Sequence, residues 1–235
     1  MKILGLDSSG LVASVAVAED DNLLAEYTVN YKKTHSQTLL PMLDEIVQMI
    51  ELDLSTIDAI AVAAGPGSFT GLRIGSATAK GLGLALSKPL IHVPTIEALA
   101  YNLVGHYAQV CPLMDARRNQ TYTGIYSFQK NELKIVQPQC VVEIEWIIDK
   151  INQQNKPVVF LGDGVKVFHD YIETHCQVEY SYAPAHLNKQ RAGSVAALGE
   201  VYFREGKTET PGEHKPDYLR LSQAERERME QEKEK

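Results

Sequence analysis

Three stretches hold residue types able to do chemistry: Asp7-Ser8-Ser9-Gly10, Gly65-Pro66-Gly67-Ser68-Phe69-Thr70-Gly71 and Asp115-Ala116-Arg117-Arg118. The glycine loop has the composition of a phosphate-binding loop, since glycine permits close backbone approach and proline fixes φ. A Walker loop needs a lysine directly after its last glycine, but Leu72 follows Gly71 and only Arg73 is basic. The nucleophile elbow G-x-S-x-G fails as well, because Pro66 and Thr70 flank Ser68 at minus two and plus two. Asp7 and Asp115 each follow an apolar run, so each either addresses a nucleotide or holds its own turn by bonding backbone amides. Metal chemistry would need paired imidazoles. His92, His106, His169, His175, His186 and His214 contain no pair one helical turn apart, and His169 with Glu173 has the spacing of a solvated helix face. No metal site and no cofactor are expected.

The elements around these stretches alternate strand and helix. Residues 2–6, 12–18 and 23–29 read as strands separated by the turns at Asp7–Gly10 and Asp20-Asp21-Asn22. Thr34-His35-Ser36-Gln37 has the form of a capping box, ahead of a helix marked by Leu39, Leu40, Leu43, Ile46, Val47 and Ile50. Pro41 conflicts with that start, so the helix kinks or begins later than the box. Residues 59–64 form a buried strand, and 72–86 a helix carrying Gly75, Ala79 and Gly83 four residues apart. Each glycine costs about 1 kcal/mol against alanine there, so the stripe requires close packing, on this protein's own sheet or on another molecule. Further on, 90–93 is a strand, 96–108 a helix, and 111–114, Asp115–Arg118 and 121–128 repeat the opening strand–turn–strand. Then come a strand at 132–136, a helix from 144 to 151, a strand at 158–161 and helices at 165–175 and 193–204. Gly162-Asp163-Gly164 suits a strand-to-helix junction and equally an adenosine-contacting turn. A polar linker, 206–216, leads to an extended Pro216-Asp217-Tyr218-Leu219-Arg220, and 222–235 is a charge run.

Composition narrows the classes of function. A chain of 235 residues buries a sizeable core. No apolar run approaches the ~20 residues needed to span a bilayer, and no signal peptide is expected. Three cysteines without CxxC spacing suit a reducing compartment. A formal net charge of −7 argues against a broad RNA-binding surface. A cytoplasmic location with no membrane contact is expected.

Read together, GPGSFTGLRIG, the opening Ile3-Leu-Gly-Leu-Asp7-Ser-Ser-Gly10, His35-Ser36-Gln37, Asp115-Ala-Arg117-Arg118 and Pro216-Asp-Tyr218-Leu-Arg220 resemble the TsaB (YeaZ) family over essentially the whole chain. The resemblance implies an α/β, actin-like ATPase fold (ASKHA, ribonuclease-H-like) of two duplicated βββαβα-type halves. These are expected at 1–109, which carries the docking helices, and 110–221, before a charged tail at 222–235; the late helix at about 193–205 is a candidate to pack back on the first half. It further implies a non-catalytic partner of TsaD, with TsaE, in transferring threonylcarbamoyl from threonylcarbamoyl-AMP to N6 of the adenosine beside the anticodon in tRNAs that read ANN codons. The chain would be no enzyme alone, would form a homodimer alone, and would meet tRNA only through the complex. The implied partner interface is Leu39, Leu43, Ile46, Gly75, Thr78, Ala79 and Leu82. In TsaD the strand corresponding to 90–93 leads into a metal-binding His-x-x-x-His pair; here those positions are Thr95 and Leu99. The alternatives are an actin-fold kinase or nucleotide hydrolase and, as the weakest, a metallopeptidase.

Overall fold

The computed structural model describes residues 1–31 and 38–220. The capping box with His35 and the charge run at 222–235 lie outside the described residues. Strands β1 (Lys2–Asp7), β2 (Ala13–Glu19), β3 (Asn22–Val29), β4 (Ala59–Ala63) and β5 (Leu90–Val93) form one sheet in the order β3-β2-β1-β4-β5. β1 runs antiparallel to β2 and parallel to β4, with Leu4 opposite Val17 on one side and Ile60 on the other. Strands β6 (Gln109–Asp115), β7 (Gln120–Gln129), β8 (Glu132–Glu143), β9 (Val158–Leu161) and β10 (Tyr180–Tyr182) form a second sheet, ordered β10-β9-β6-β7-β8. Read from the other edge this is the same arrangement: an antiparallel meander of three strands, then two parallel additions beyond the first. The chain has the actin-like ATPase fold, with its basic unit present twice.

Side-chain alternation explains how the helices pack. On one face of the first sheet Leu4, Leu6, Val15, Val17, Ile60 and Val62 meet α1 (Leu39–Met49) and α2 (Phe69–Leu86). On the other, Ile3, Ala59, Ala61, Ala63 and Ile91 meet α6 (Ala192–Arg204). The second sheet places Cys111, Leu113, Ile125 and Phe160 against α4 (Ile144–Gln154) and α5 (Gly164–His175). Its opposite face, with Val110, Met114, Tyr126 and Val159, receives Ile96, Leu99 and Ala100 of α3 (Thr95–Tyr101). Strands β1, β2, β4 and β9 are therefore buried on both faces, which is why they read as nearly continuous apolar runs.

α1 starts later than the capping box, one of the two outcomes Pro41 allowed, and three other elements differ from the sequence reading. α1 begins at Leu39 behind Thr38, so Pro41 falls in the first turn, where a missing N–H leaves no helical bond unmade. α3 ends at Tyr101, not near residue 108: the following amides bond three residues back, and the chain turns out through Gly105 at φ 80°. β8 continues to Glu143 past Pro138, which an edge strand tolerates because one side needs no ladder partner. The three-residue β10 carries no pattern of its own and exists by parallel pairing with Val158–Phe160 of β9.

Candidate functional site: a hairpin cleft and a small-residue helix

The first hairpin turn is closed by its own side chains. Asp7 Oδ1 accepts the Ser9 backbone N–H at 2.8 Å and the Ser9 hydroxyl at 2.7 Å. The Ser8 hydroxyl donates to the Gly71 carbonyl at 2.9 Å, tying the turn to the start of α2. Ser68 caps that helix, its hydroxyl accepting from Gly71 N at 3.3 Å, and its own amide donates to Ser9 O at 2.7 Å. The glycine loop is pressed on the turn: a Cβ on Gly67 would stand 2.2 Å from the Ser9 carbonyl oxygen. Its glycines thus serve close backbone packing.

The second hairpin faces the first across a cavity of about 360 Å³, lined by Ser9, Gly10, Gly67, Ser68, Asp115, Arg117, Tyr122 and Asp163 among others. Asp115 is occupied locally, accepting the Arg117 amide at 2.8 Å and lying 3.2 Å from the Arg117 guanidinium. Asp163 Oδ1 accepts the Asp115 amide at 3.3 Å. Gly162 has φ 105°, and a Cβ there would meet the Leu113 carbonyl oxygen at 2.2 Å, so Gly162-Asp163-Gly164 is a tight strand-to-helix junction that also contributes Asp163 to the cleft.

Burial pushes the Asp163 carboxyl above its usual range, against the amide bond and the Lys189 charge, which favour ionisation. A carboxyl raised on folding contributes stability that is fully present below its unfolded pKa and lost as pH rises through the folded one. Asp163→Asn removes that loss and keeps the acceptor. Its stability relative to the parent should therefore improve as pH rises above about 4 in paired urea titrations. A difference that stays constant as pH rises would show that Asp163 is not held against its charge.

A strap, residues 207–220, crosses the glycine loop. Asp217 N donates to Ala64 O at 2.7 Å, and Gly65, at φ 121°, leaves room for the Asp217 carbonyl, which a Cβ would meet at 2.3 Å. Tyr218 stacks on Phe69 with centroids 4.1 Å apart and planes 11° from parallel, and the Arg73 guanidinium lies 5.2 Å from the Phe69 ring centroid. Arg220 then donates to the Ala116 carbonyl of the second hairpin. The two motifs GPGSFTGLRIG and Pro216–Arg220 are one physical unit, which sequence spacing could not reveal.

Thr95 and Leu99, at the positions of the TsaD imidazole pair, do not fit a metal. Thr95 Oγ1 accepts the Gly65 amide at 3.0 Å, and Leu99 is buried against the second sheet.

The seven residues expected at a partner surface mostly point inward. Leu39, Leu43, Ile46 and Ala79 are buried in the core under the first sheet, and Leu82 is half-buried against it. Gly75 packs on the first hairpin, where a Cβ would stand 2.5 Å from Ser8 Oγ; Thr78 is half-buried. The periodicity of α1 marks the core, each large apolar side chain there contributing about 1.5–3 kcal/mol. Gly83 is likewise explained within the chain, by Pro211 and Leu90. Gly81 is not: a Cβ there would meet nothing within 4 Å among the described residues. With Ala77 and Ala85 it forms an exposed line on the outer face of α2, beside Leu84 at 70% exposure; Leu40 of α1 is also exposed.

A family model described as TsaD: tRNA N6-adenosine threonylcarbamoyltransferase matches residues 22–228. The tRNA threonylcarbamoyladenosine biosynthesis protein TsaB of Bacillus subtilis (strain 168) is 33% identical over 99% of this chain and 100% of its own. This chain belongs to the TsaB family. TsaB of Escherichia coli (strain K12) is 28% identical over 94% of this chain and 95% of its own length. The solved structure of YeaZ from Pseudomonas aeruginosa superposes with a TM-score of 0.76 at 28% identity, covering 93% of this TsaB-family chain and 99% of that one. No helix among the described residues is long and apolar enough to cross a membrane.

Proposed function

We propose that this chain acts in threonylcarbamoyladenosine formation on tRNA as a non-catalytic partner of TsaD, in a cytoplasmic complex that also uses TsaE. The threonylcarbamoyl group passes from threonylcarbamoyl-AMP to N6 of the adenosine beside the anticodon, and tRNA is met only through the complex. Membership of the TsaB family supports the pathway, and a single feature, exposed Gly81, supports the partner role. A helical glycine costs about 1 kcal/mol against alanine, and nothing among the described residues uses the space it leaves. Ala77, Gly81 and Ala85, spaced four apart, form a ridge low enough for a second helix to approach closely. Exposed Leu84 adds an apolar anchor. In the absence of TsaD the same line pairs two copies of this chain.

This reading moves the docking face around α2, from Gly75, Thr78, Ala79 and Leu82 to Ala77, Gly81, Leu84 and Ala85. The test is reconstitution with TsaD, TsaE, ATP and threonylcarbamoyl-AMP. Modified tRNA should form with the full set, and none should form with this chain alone or with the set lacking it. Transfer by the isolated chain would overturn the proposal.

The cleft favours a second reading, nucleotide turnover, because two aspartates line it. Asp115 is already held by Arg117 and Asp163 by the Asp115 amide, which weakens that reading. Mg-ATP hydrolysis abolished by Asp7→Ala would favour it.

A further inference from the structure

His92 of β5 and Glu209 and His214 of the strap lie 117 and 5 residues apart in the chain, yet each presents a donor atom within 4.8 Å of the other two. Glu209 Oε1 lies 2.5 Å from His214 Nδ1 and 3.8 Å from His92 Nδ1. We propose that His92, Glu209 and His214 bind one divalent transition-metal ion of the zinc class, which fastens the strap to the first sheet.

The ligand chemistry supports this choice. Two imidazoles and a carboxylate, with a fourth position for water, are a zinc-type donor set. Tetrahedral bonds of about 2.0–2.1 Å place donors roughly 3.3 Å apart. The separations of 2.5 and 3.8 Å bracket that figure, and the remaining pair of donors lies within 4.8 Å. The outer shell is in place too. His92 Nε2 lies 2.9 Å from Asp217 Oδ2, which leaves Nδ1 directed at the ion and its ring oriented by a carboxylate.

The backbone around the ligands is fixed. Glu209 is held by a two-bond bridge to Leu90, 2.9 Å in each direction. The turn before His214 is closed by Glu213 Oε2, which accepts the Thr210 amide at 3.0 Å and hydroxyl at 2.7 Å. His214 is wholly buried, and its Nε2 has no hydrogen-bond partner among the described residues. Glu209 also borders a cavity of about 430 Å³ between the end of α2 and the strap.

The ion would therefore act on strap order and not on the cleft. The experiment uses the full chain stripped with a chelator and titrated with zinc against a chromophoric indicator. One ion per chain is expected, with a rise in thermal midpoint on addition. His92→Gln and Glu209→Gln should each weaken binding by about tenfold or more, while Cys140→Ser, Cys176→Ser and His169→Gln leave it unchanged. Neither of the first two replaces a wholly buried side chain, so their melting without zinc serves as the folding control. X-ray absorption of the loaded protein should show a nitrogen and oxygen shell with imidazole scattering. No saturable binding, a sulfur shell, or unchanged affinity in both ligand variants would overturn the site, leaving a charge network that holds the strap unaided. All of these readings are independent of TsaD.

Discussion

Gly81→Arg is expected to weaken association with TsaD by about a hundredfold or more while the isolated chain keeps its fold. A Cβ at Gly81 meets nothing within 4 Å among the described residues, so the new side chain strains no contact with them. Across a helix pair that depends on close backbone approach, the same side chain separates the axes and buries a charge without a partner. The expected loss is about 2.7 kcal/mol or more of binding. Gly81→Ala separates the two effects, since it should stabilise the free chain by about 0.5–1 kcal/mol and impair docking less. Equilibrium binding of purified TsaD, read beside thermal melting of each variant, checks both. Unchanged affinity for Gly81→Arg would move the docking surface off this face of α2.

Gly5→Val should have the largest effect on folding. Gly5 sits mid-strand in β1 beneath α6, where a Cβ would lie 2.4 Å from the Ala192 carbonyl oxygen and 2.9 Å from the Ala196 Cβ. Neither neighbour is the end of a flexible side chain, so the helix itself must lift. Overpacking of this kind costs about 1–3 kcal/mol and more where backbone blocks relief, so a loss of about 3 kcal/mol or more is expected. The urea midpoint of unfolding measures it. Stability within about 0.5 kcal/mol of the parent would mean that α6 does not approach β1 so closely.

The fold was legible because its signals are local. Two strand–turn–strand units about a hundred residues apart, each ending in an aspartate turn, point to a repeated unit, and both sheets carry it. The proposed docking face was harder to read. Small residues lie on more than one side of α2, so spacing alone cannot separate Gly75, pressed on Ser8, from Gly81, which faces solvent. A bulky residue at Gly75 or Ala79 would damage the core before it disturbed a partner. In α1 Leu39, Leu43 and Ile46 follow the ordinary period of a core face, and burial is where the structure puts them. His92, Glu209 and His214 escaped a search for paired imidazoles because strap and strand meet only in the folded chain. The Phe69–Tyr218 stack is hidden for the same reason, joining residues 149 positions apart.

The position of α6 sets the order in which the molecule can be completed. As the ribosome releases the chain, the first sheet lacks one of its walls until residues 192–204 emerge. Ile3, Ala61 and Ile91 stay exposed through nearly the whole of synthesis, although their strands are made in its first half. Nascent chains halted before residue 192 should therefore be held by chaperones, and protease resistance of the amino-terminal strands should arrive late and together with that of the carboxy-terminal ones.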